Sequence, residues 1–492
     1  MDRSSSPPSS SASDLESGTD TTPKPSLDSR KDSLSRLGEK PTKTTSPAQE
    51  GHTQEVLVQG NIFEQGGVSY RTMGRWDTYL LLTTNQFGLG ILSLPSVLNV
   101  LGIVPSIFAI VGFGLLAWYS GHQLLSFYKK YPHIVNIVEA ARVVGGRPFA
   151  AIVSGFMIIL LAFYCASAVV TLSIAFNTIS NGAICTVSFM AIAVIACYLI
   201  NIPRTMKFVA WSGYPNNVSI LAAALIVIIS LGVSNPGNAP ENWTRELKVV
   251  GTPTLRDAIN ACLRIIYSYA GNVSFLTYMA EMKSPEKDFG FCLAALEITS
   301  ITLYCTVAIA VYCLAGQYTL SPALSTAPAI PAKAAYGLLI VALLATGLAN
   351  GHTASKLIYV QVMRKMNALH QLTDSSVKSW SVWVSIVTVL WIAIFIIANV
   401  IPIFDSILAI TGATAVPWLT FGFASIFWLY NNHGKYTESK KKMACAVLSV
   451  ALVVFSVTMN GIGLWASVTE LLDIFNDDSS SVRGVFSCGS NA

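Results

Sequence analysis

Two segments place glycine beside polar and aromatic residues inside otherwise apolar runs. The first is Thr84-Asn85-Gln86-Phe87-Gly88-Leu89-Gly90-Ile91-Leu92-Ser93-Leu94-Pro95; the second is Ser268-Tyr269-Ala270-Gly271-Asn272-Val273-Ser274. Glycine lowers the cost of leaving helical geometry, and proline is tolerated in the first turn of a helix that restarts. A helix that stops near Gly88 and resumes near Ile91 uses both features. The restarted half presents unbonded N–H groups and a partial positive charge, and the stopped half presents unbonded carbonyls. Together these groups suit a zwitterion, with N–H groups for the carboxylate and C=O groups for the ammonium. Neither segment carries a charged side chain, and this chemistry needs none. For either segment alone, the plainer alternative is close helix packing through small residues.

A third segment, Asn350-Gly351-His352-Thr353-Ala354-Ser355-Lys356, also lies in an apolar run. Thr353 and Ser355, with the first interruption nearby, could supply oxygens for a sodium ion. Lys356 could instead put a fixed or protonatable cation there, or extend toward the membrane surface near Arg364. His352 is the usual hydrogen-bonded packing histidine or a proton relay. Ionisable residues inside apolar runs are costly and stand as functional candidates. Arg264 is placed to line a vestibule or to pair with a carboxylate, Asp405 sits near the start of its run, and Glu297 lies about two turns into another. Arg256, Asp257 and Glu281 fall at run ends, where an interfacial position accounts for them.

The chain is 52% hydrophobic and 12% charged, with a mean hydropathy of +0.55. A typical soluble domain carries about 25% charged residues. Most of this chain therefore cannot face water. Backbone groups in lipid must be satisfied internally, so long apolar runs must be helices; a β-barrel would show short alternating segments. Eleven spans are expected, at 76–100, 103–127, 149–177, 182–200, 207–233, 255–280, 289–316, 332–362, 380–400, 402–430 and 443–468. The connections at Ser180-Asn181-Gly182 and Asn399–Pro402 are short, and they leave the count open by one. The two glycine-containing interruptions fall in the first and sixth spans, which points to a five-plus-five inverted repeat.

Of 31 Lys and Arg residues, 24 lie on the side of the N-terminal tail, four on the other side and three within spans. That bias predicts a cytosolic N-terminus and, with an odd number of spans, a C-terminus outside or in a lumen. The sequon at Asn242 falls in the long loop expected outside. Sequons at Asn217 and Asn272 lie within spans. The charges sit in short loops between apolar runs, which argues for a lipid bilayer and against nucleic acid as partner. Seven cysteines lie in apolar runs; only Cys185 and Cys488 can face an oxidising side, and nothing in the sequence pairs them. The absence of CxxC, HExxH and DHHC patterns gives no metal site and no enzyme site. Residues 1–72 are rich in Ser, Thr and Pro and read as a disordered cytosolic tail, residues 73–470 as the membrane domain, and residues 471–492 as a short C-terminal tail. Serines and Lys24, Lys31, Lys40 and Lys43 make the N-terminal tail a target for kinases or ubiquitin.

Asn85–Pro95, the stretch from Tyr269-Ala270-Gly271-Asn272 into Glu281–Phe289, and Ile401–Asp405 running into Gly412-Ala413 resemble the amino acid/auxin permease family, in particular fungal neutral amino acid permeases of the methyltryptophan-resistance type. The resemblance covers roughly residues 73–470. It implies an all-α membrane protein of the leucine-transporter-type fold of the APC superfamily, with ten core helices and one extra. It implies import of neutral amino acids coupled to a cation gradient, usually protons, with no other cofactor. By the same resemblance, the backbone of Gly88, Leu89, Gly90 and Ile91 holds the carboxylate, and that of Ser268, Tyr269, Ala270 and Gly271 helps hold the amine. Asn85 matches a polar position beside the substrate and ion sites. Thr353 and Ser355 match hydroxyls of the ion site in sodium-coupled relatives, while Lys356 beside them argues for protons. Phe163 and Tyr164 are candidates for the side-chain pocket. A nutrient sensor of the same fold, signalling through its tail, is the alternative function. The plasma membrane is expected ahead of the vacuolar membrane.

Overall fold

The computed structural model describes residues 71, 73–204, 213–368, 376–477 and 484–489. The tail with its kinase and ubiquitin candidates, and the first residues of the expected fifth span, lie outside the described residues.

The first span is two helices, α1 (Arg75–Gln86) and α2 (Gly90–Leu101), bent by 54° at the break between them. Next come α3 (Ile103–Lys130), α4 (Ile137–Ser180), α5 (Thr186–Asn201) and α6 (Gly213–Val233). The sixth span consists of α7 (Leu255–Ser268), a 3-10 turn over Ala270–Ser274 and α8 (Phe275–Glu281). Then follow α9 (Pro285–Ala315), α10 (Ala329–Lys365) and α11 (Val377–Val400). The tenth segment is α12 (Phe404–Thr414) joined through a π-turn at Trp418–Gly422 to α13 (Phe423–Asn431). The last is α14 (Lys440–Thr458), a π-turn at Met459–Gly463 and α15 (Leu464–Asn476).

Each expected apolar segment is thus occupied by a helix or a broken helix. Eight are long and apolar enough to cross a membrane, and the bent α1–α2 pair makes a ninth. Helix α5 has 16 residues, about 24 Å at 1.5 Å per residue, less than the roughly 30 Å of a hydrocarbon core. The α7–α8 segment is too interrupted to qualify by continuous length. Among the described residues no strand forms beyond an isolated bridge between Met73 and Met282.

Local sequence sets the ends. Asn136 caps α4 by accepting from the Glu139 N–H at 2.9 Å, and Thr254 caps α7 by accepting from the Asp257 N–H at 3.2 Å. Pro285 occupies the first turn of α9, where its missing N–H is not needed. Helix α4 starts earlier than the expected span because the amphipathic stretch before it is also helical. The two pieces meet at a kink where Gly145 and Gly146 leave helical angles, Gly146 with φ +68°. Asn181, at φ +56°, ends α4 in the left-handed conformation that asparagine tolerates. Helix α9 lies against α1, α2 and α3, α2 lies against α7, and α12 lies against α7 and α4. Both interrupted spans are therefore enclosed by other helices. Their break residues are buried, Gly88 and Ser274 being only partly so.

Candidate functional site

At the first break the Phe87 N–H donates to the Thr83 carbonyl, the Gly88 N–H to Gln86 O and the Leu92 N–H to Leu89 O. The N–H groups of Leu89, Gly90 and Ile91, at the start of α2, have no backbone acceptor among the described residues. At the second break Tyr269 ends α7 with its N–H on Ile266 O, and the chain continues as a 3-10 turn. Asn272 anchors that turn by donating to Ala117 O at 3.3 Å and Thr420 O at 3.2 Å, which ties it to α3 and to the π-turn of the tenth segment.

The two breaks touch. A Cβ on Gly90 would lie 2.3 Å from Ser268 Oγ and 2.8 Å from Ser268 Cα, and a Cβ on Gly271 would lie 2.3 Å from Gln86 Oε1. At Gly90 the neighbour is backbone and only glycine permits the approach, whereas at Gly271 it is the tip of a flexible side chain. The Tyr304 hydroxyl of α9 sits 2.8 Å from Gln86 O and 2.9 Å from Ser268 O, so one hydroxyl serves the last carbonyl of α1 and the last carbonyl of α7. Its ring packs edge-on to Tyr269 and Phe87. Tyr164 of α4 stacks edge-on to Tyr267, one residue before Ser268, while Ser167 hydrogen-bonds the Tyr267 hydroxyl at 3.1 Å. Tyr164 thus stands beside the second break; Phe163 is half-buried in the core.

Polar contacts close the bundle at both ends of the breaks. On the side of the 234–254 loop, the buried Arg264 Nη1 meets Asp405 Oδ2 at 2.5 Å and Ser96 Oγ at 3.0 Å, joining α7, α12 and α2. Ser321 donates to the other Asp405 oxygen. On the opposite side, Asn85 donates to the Tyr278 hydroxyl, linking α1 to α8. Asn217 of α6 donates to Thr83 Oγ1 at 3.3 Å and Thr84 Oγ1 at 2.9 Å. Met73 exchanges backbone hydrogen bonds with Glu281 and Lys283, and Arg75 pairs with Asp288 at 3.5 Å.

The third sequence candidate is placed differently. Helix α10 runs mainly against α4 and α6. Thr353 donates to its own helix at Ala349 O, 2.7 Å away. Ser355 is fully buried, with no hydrogen-bond partner on its Oγ among the described residues. Lys356 is half-buried on the same turn. No described hydrogen bond joins Thr353, Ser355 or Lys356 to either break. Asn242 is exposed in the 234–254 loop, whereas Asn272 is buried. Cys185 and Cys488 form a disulfide, and Thr186 Oγ1 donates to Gly489 O at 2.8 Å, so the C-terminal segment lies against the start of α5. At a sequence separation of 303, the two cysteines carried no pairing signal in the sequence.

Gln86, Ser300 and Tyr304 were not singled out in the sequence, and Glu297 was noted only as an intramembrane charge. Gln86 Nε2 donates to Glu297 Oε1 at 3.2 Å, to Oε2 at 3.3 Å and to Ser300 Oγ at 3.3 Å. The available signal was the spacing of Glu297, Ser300 and Tyr304, which puts all three on one helical face.

Residues 71–469 match the family model described as transmembrane amino acid transporter protein. The chain is 27% identical over 432 residues to the N amino acid transport system protein of Neurospora crassa, covering 86% of this chain and 90% of that one. It is also 25% identical over 445 residues to a transmembrane transporter of Fusarium pseudograminearum, covering 90% and 91% of the two chains.

Proposed function

Since the chain belongs to the transmembrane amino acid transporter family, and is thus an integral membrane transport protein and not an enzyme, we propose that it imports neutral amino acids by proton symport through an eleven-span, five-plus-five inverted repeat. The carrying observation is the meeting of the two breaks at Gly90 and Ser268, with the free N–H groups of Leu89, Gly90 and Ile91 beside it. Those N–H groups, at the positive end of α2, take the substrate carboxylate. The carbonyl ends of α1 and α7, with the backbone of Ser268, Tyr269, Ala270 and Gly271, take the ammonium. Neither break brings a charged side chain, and the nearby Arg264 and Asp405 neutralise each other. A site of that kind favours a substrate side chain without charge.

The contacts at the two ends support alternating access. Opening toward the 234–254 loop requires Arg264 to leave Asp405. Opening toward the other side requires α1 to leave Tyr278, Asn217 and Asp288. The last contact is half-exposed, and such pairs contribute about 0–1 kcal/mol, so that side is held mainly by neutral hydrogen bonds.

Proton coupling is favoured over sodium by Lys356, a half-buried cation on the same turn of α10 as Ser355 and Thr353. The charge bias supports a cytosolic N-terminus, and import into the cell calls for the plasma membrane rather than the vacuolar membrane. The exposed Asn242 sequon and the Cys185–Cys488 disulfide both fall on the expected outer side and support that orientation. The test is uptake of labelled amino acids into proteoliposomes under an inward proton gradient without sodium. Saturable accumulation supports the proposal, and binding without flux would replace it with a sensor.

A further inference from the structure

Glu297 has no part in holding a zwitterion, yet it is fully buried beside the site. An ionised carboxylate out of water costs several kcal/mol unless it is paired, and an unpaired one takes up a proton instead. Among the described residues no Lys, Arg or His lies within ion-pair distance of it. Its hydrogen-bond donor is the neutral Gln86 amide.

The elements packed around α9 bring no cation to it. Helix α1 contributes Gln86 and the hydroxyl of Tyr79, which bonds Thr299 Oγ1 at 3.0 Å, while its Arg75 is held by Asp288. Helix α2 has no titratable side chain. On α3, Tyr119 bonds toward α14, His122 is exposed and Lys129 and Lys130 sit at the far end; Tyr128 is buried. Helix α6 offers only the exposed Tyr214. Helix α8 offers Tyr278, bonded to Asn85, and Glu281 at its end. Beyond these, the titratable neighbours are the phenols of Tyr269 and Tyr304.

The surrounding polar atoms accommodate both protonation states. An ionised Glu297 accepts from Gln86 Nε2. A protonated Glu297 must donate, and two acceptors are at hand. Ser300 Oγ spends its own hydrogen on Leu296 O at 2.8 Å, accepts from Gln86 Nε2 at 3.3 Å and keeps one lone pair free. Gln86 Oε1 is buried without a partner among the described residues, and half a turn of the amide brings it to the carboxyl. Gln86 is also the last residue of α1, its carbonyl is held by Tyr304, and its side chain abuts Gly271. The charge on Glu297 is therefore read by both breaks through one residue.

We propose that Glu297 is the residue that carries the co-transported proton. It binds one proton on the side where substrate enters, remains neutral while the breaks are closed, and releases that proton to the other side when α1 moves off α9, which regenerates the carboxylate. This rests on the proton-symport proposal above and assigns its carrier.

The experiment compares the wild type, Glu297→Gln and Glu297→Asp in proteoliposomes, by accumulation under a pH gradient and by exchange of labelled for unlabelled substrate at equal pH. One-to-one coupling gives about tenfold accumulation per pH unit in the wild type at zero membrane potential. Glu297→Gln is expected to exchange substrate at a rate that no longer varies with pH, and to show no accumulation. Glu297→Asp keeps the carboxyl and is expected to accumulate, with a shifted pH profile. That difference separates a proton-carrying role from a packing role, and the shifted pH profile of Glu297→Asp carries the test if Glu297→Gln is poorly folded. Proton-driven accumulation by a folded Glu297→Gln, or loss of accumulation in a folded Glu297→Asp that still exchanges independently of pH, would overturn the proposal. Wild-type exchange without any proton-driven accumulation would overturn the symport proposal along with it, whereas absence of wild-type exchange would reject transport itself.

Discussion

Replacing Gly90 by alanine inserts one methyl group at the point where the two broken spans meet. Its carbon would lie 2.3 Å from Ser268 Oγ and 2.8 Å from both Ser268 Cα and Cβ. Ordinary carbon contacts begin near 3.5 Å, so α2 and α7 must separate by about 0.7 Å to clear the backbone atom. Rotating the Ser268 side chain does not help, because Cα cannot rotate away. Overpacking of this kind costs about 1–3 kcal/mol, and the backbone contact puts it toward the upper end. At 1.4 kcal/mol per factor of ten, the closed arrangement becomes about 10- to 100-fold less populated. The assay is initial uptake in proteoliposomes containing equal amounts of monodisperse protein. Gly90→Ala should lose at least about tenfold in rate, and Gly90→Leu should be inactive while still inserted. A Cβ on Gly88, in the same break, or on Gly112 in α3 meets nothing within 4 Å. Gly112→Ala should transport normally, and Gly88→Ala should lose less than Gly90→Ala. Uptake by Gly90→Ala within about twofold of the wild type, or equal losses at Gly88 and Gly90, would refute the steric reasoning.

Gly271→Ala pushes on the tip of a flexible glutamine and not on backbone, so uptake should fall by less than it does for Gly90→Ala. Arg264→Gln leaves Asp405 without its cation; breaking a buried pair costs about 3–5 kcal/mol, and the part-exposure of Asp405 places this one at or below the lower figure. Uptake should fall at least tenfold, and Arg264→Gln combined with Asp405→Asn should recover part of it; strictly additive losses would show that the two residues act separately. Asn242→Gln should abolish a glycosidase-sensitive mobility shift on gels, and a wild-type chain without that shift in a glycosylating host would count against the proposed orientation. Removing sodium at constant pH should leave uptake unchanged, whereas a strict sodium requirement would exclude the role given to Lys356.

The spans were legible because twenty apolar residues in a row have one stable solution in lipid. The two breaks were legible for a related reason: Gly88, Gly90 and Gly271 are permissive residues in runs that otherwise favour helix. What holds the breaks together was not. Tyr304 bonds two carbonyls 218 and 36 positions away, and Gln86 bonds Glu297 at a separation of 211. Such pairings depend on how α9 lies across α1 and α7, and no local pattern encodes that. Arg264 pointed to a vestibule or to a carboxylate partner but not to which carboxylate, and the Cys185–Cys488 pair was hidden in the same way. Thr353 and Ser355 are legible only by resemblance: Thr353 donates to its own helix and keeps its lone pairs, and Ser355 is buried with no partner among the described residues.

The central claim is that the paired breaks carry a neutral amino acid across the membrane with a proton. Its most direct measurement is uptake of a panel of labelled neutral, acidic and basic amino acids by purified protein in sealed vesicles, with an inward pH gradient and no sodium. Saturable accumulation of neutral amino acids that collapses with the gradient is the expected result. Binding without flux, or accumulation that ignores the gradient and follows sodium, would contradict it.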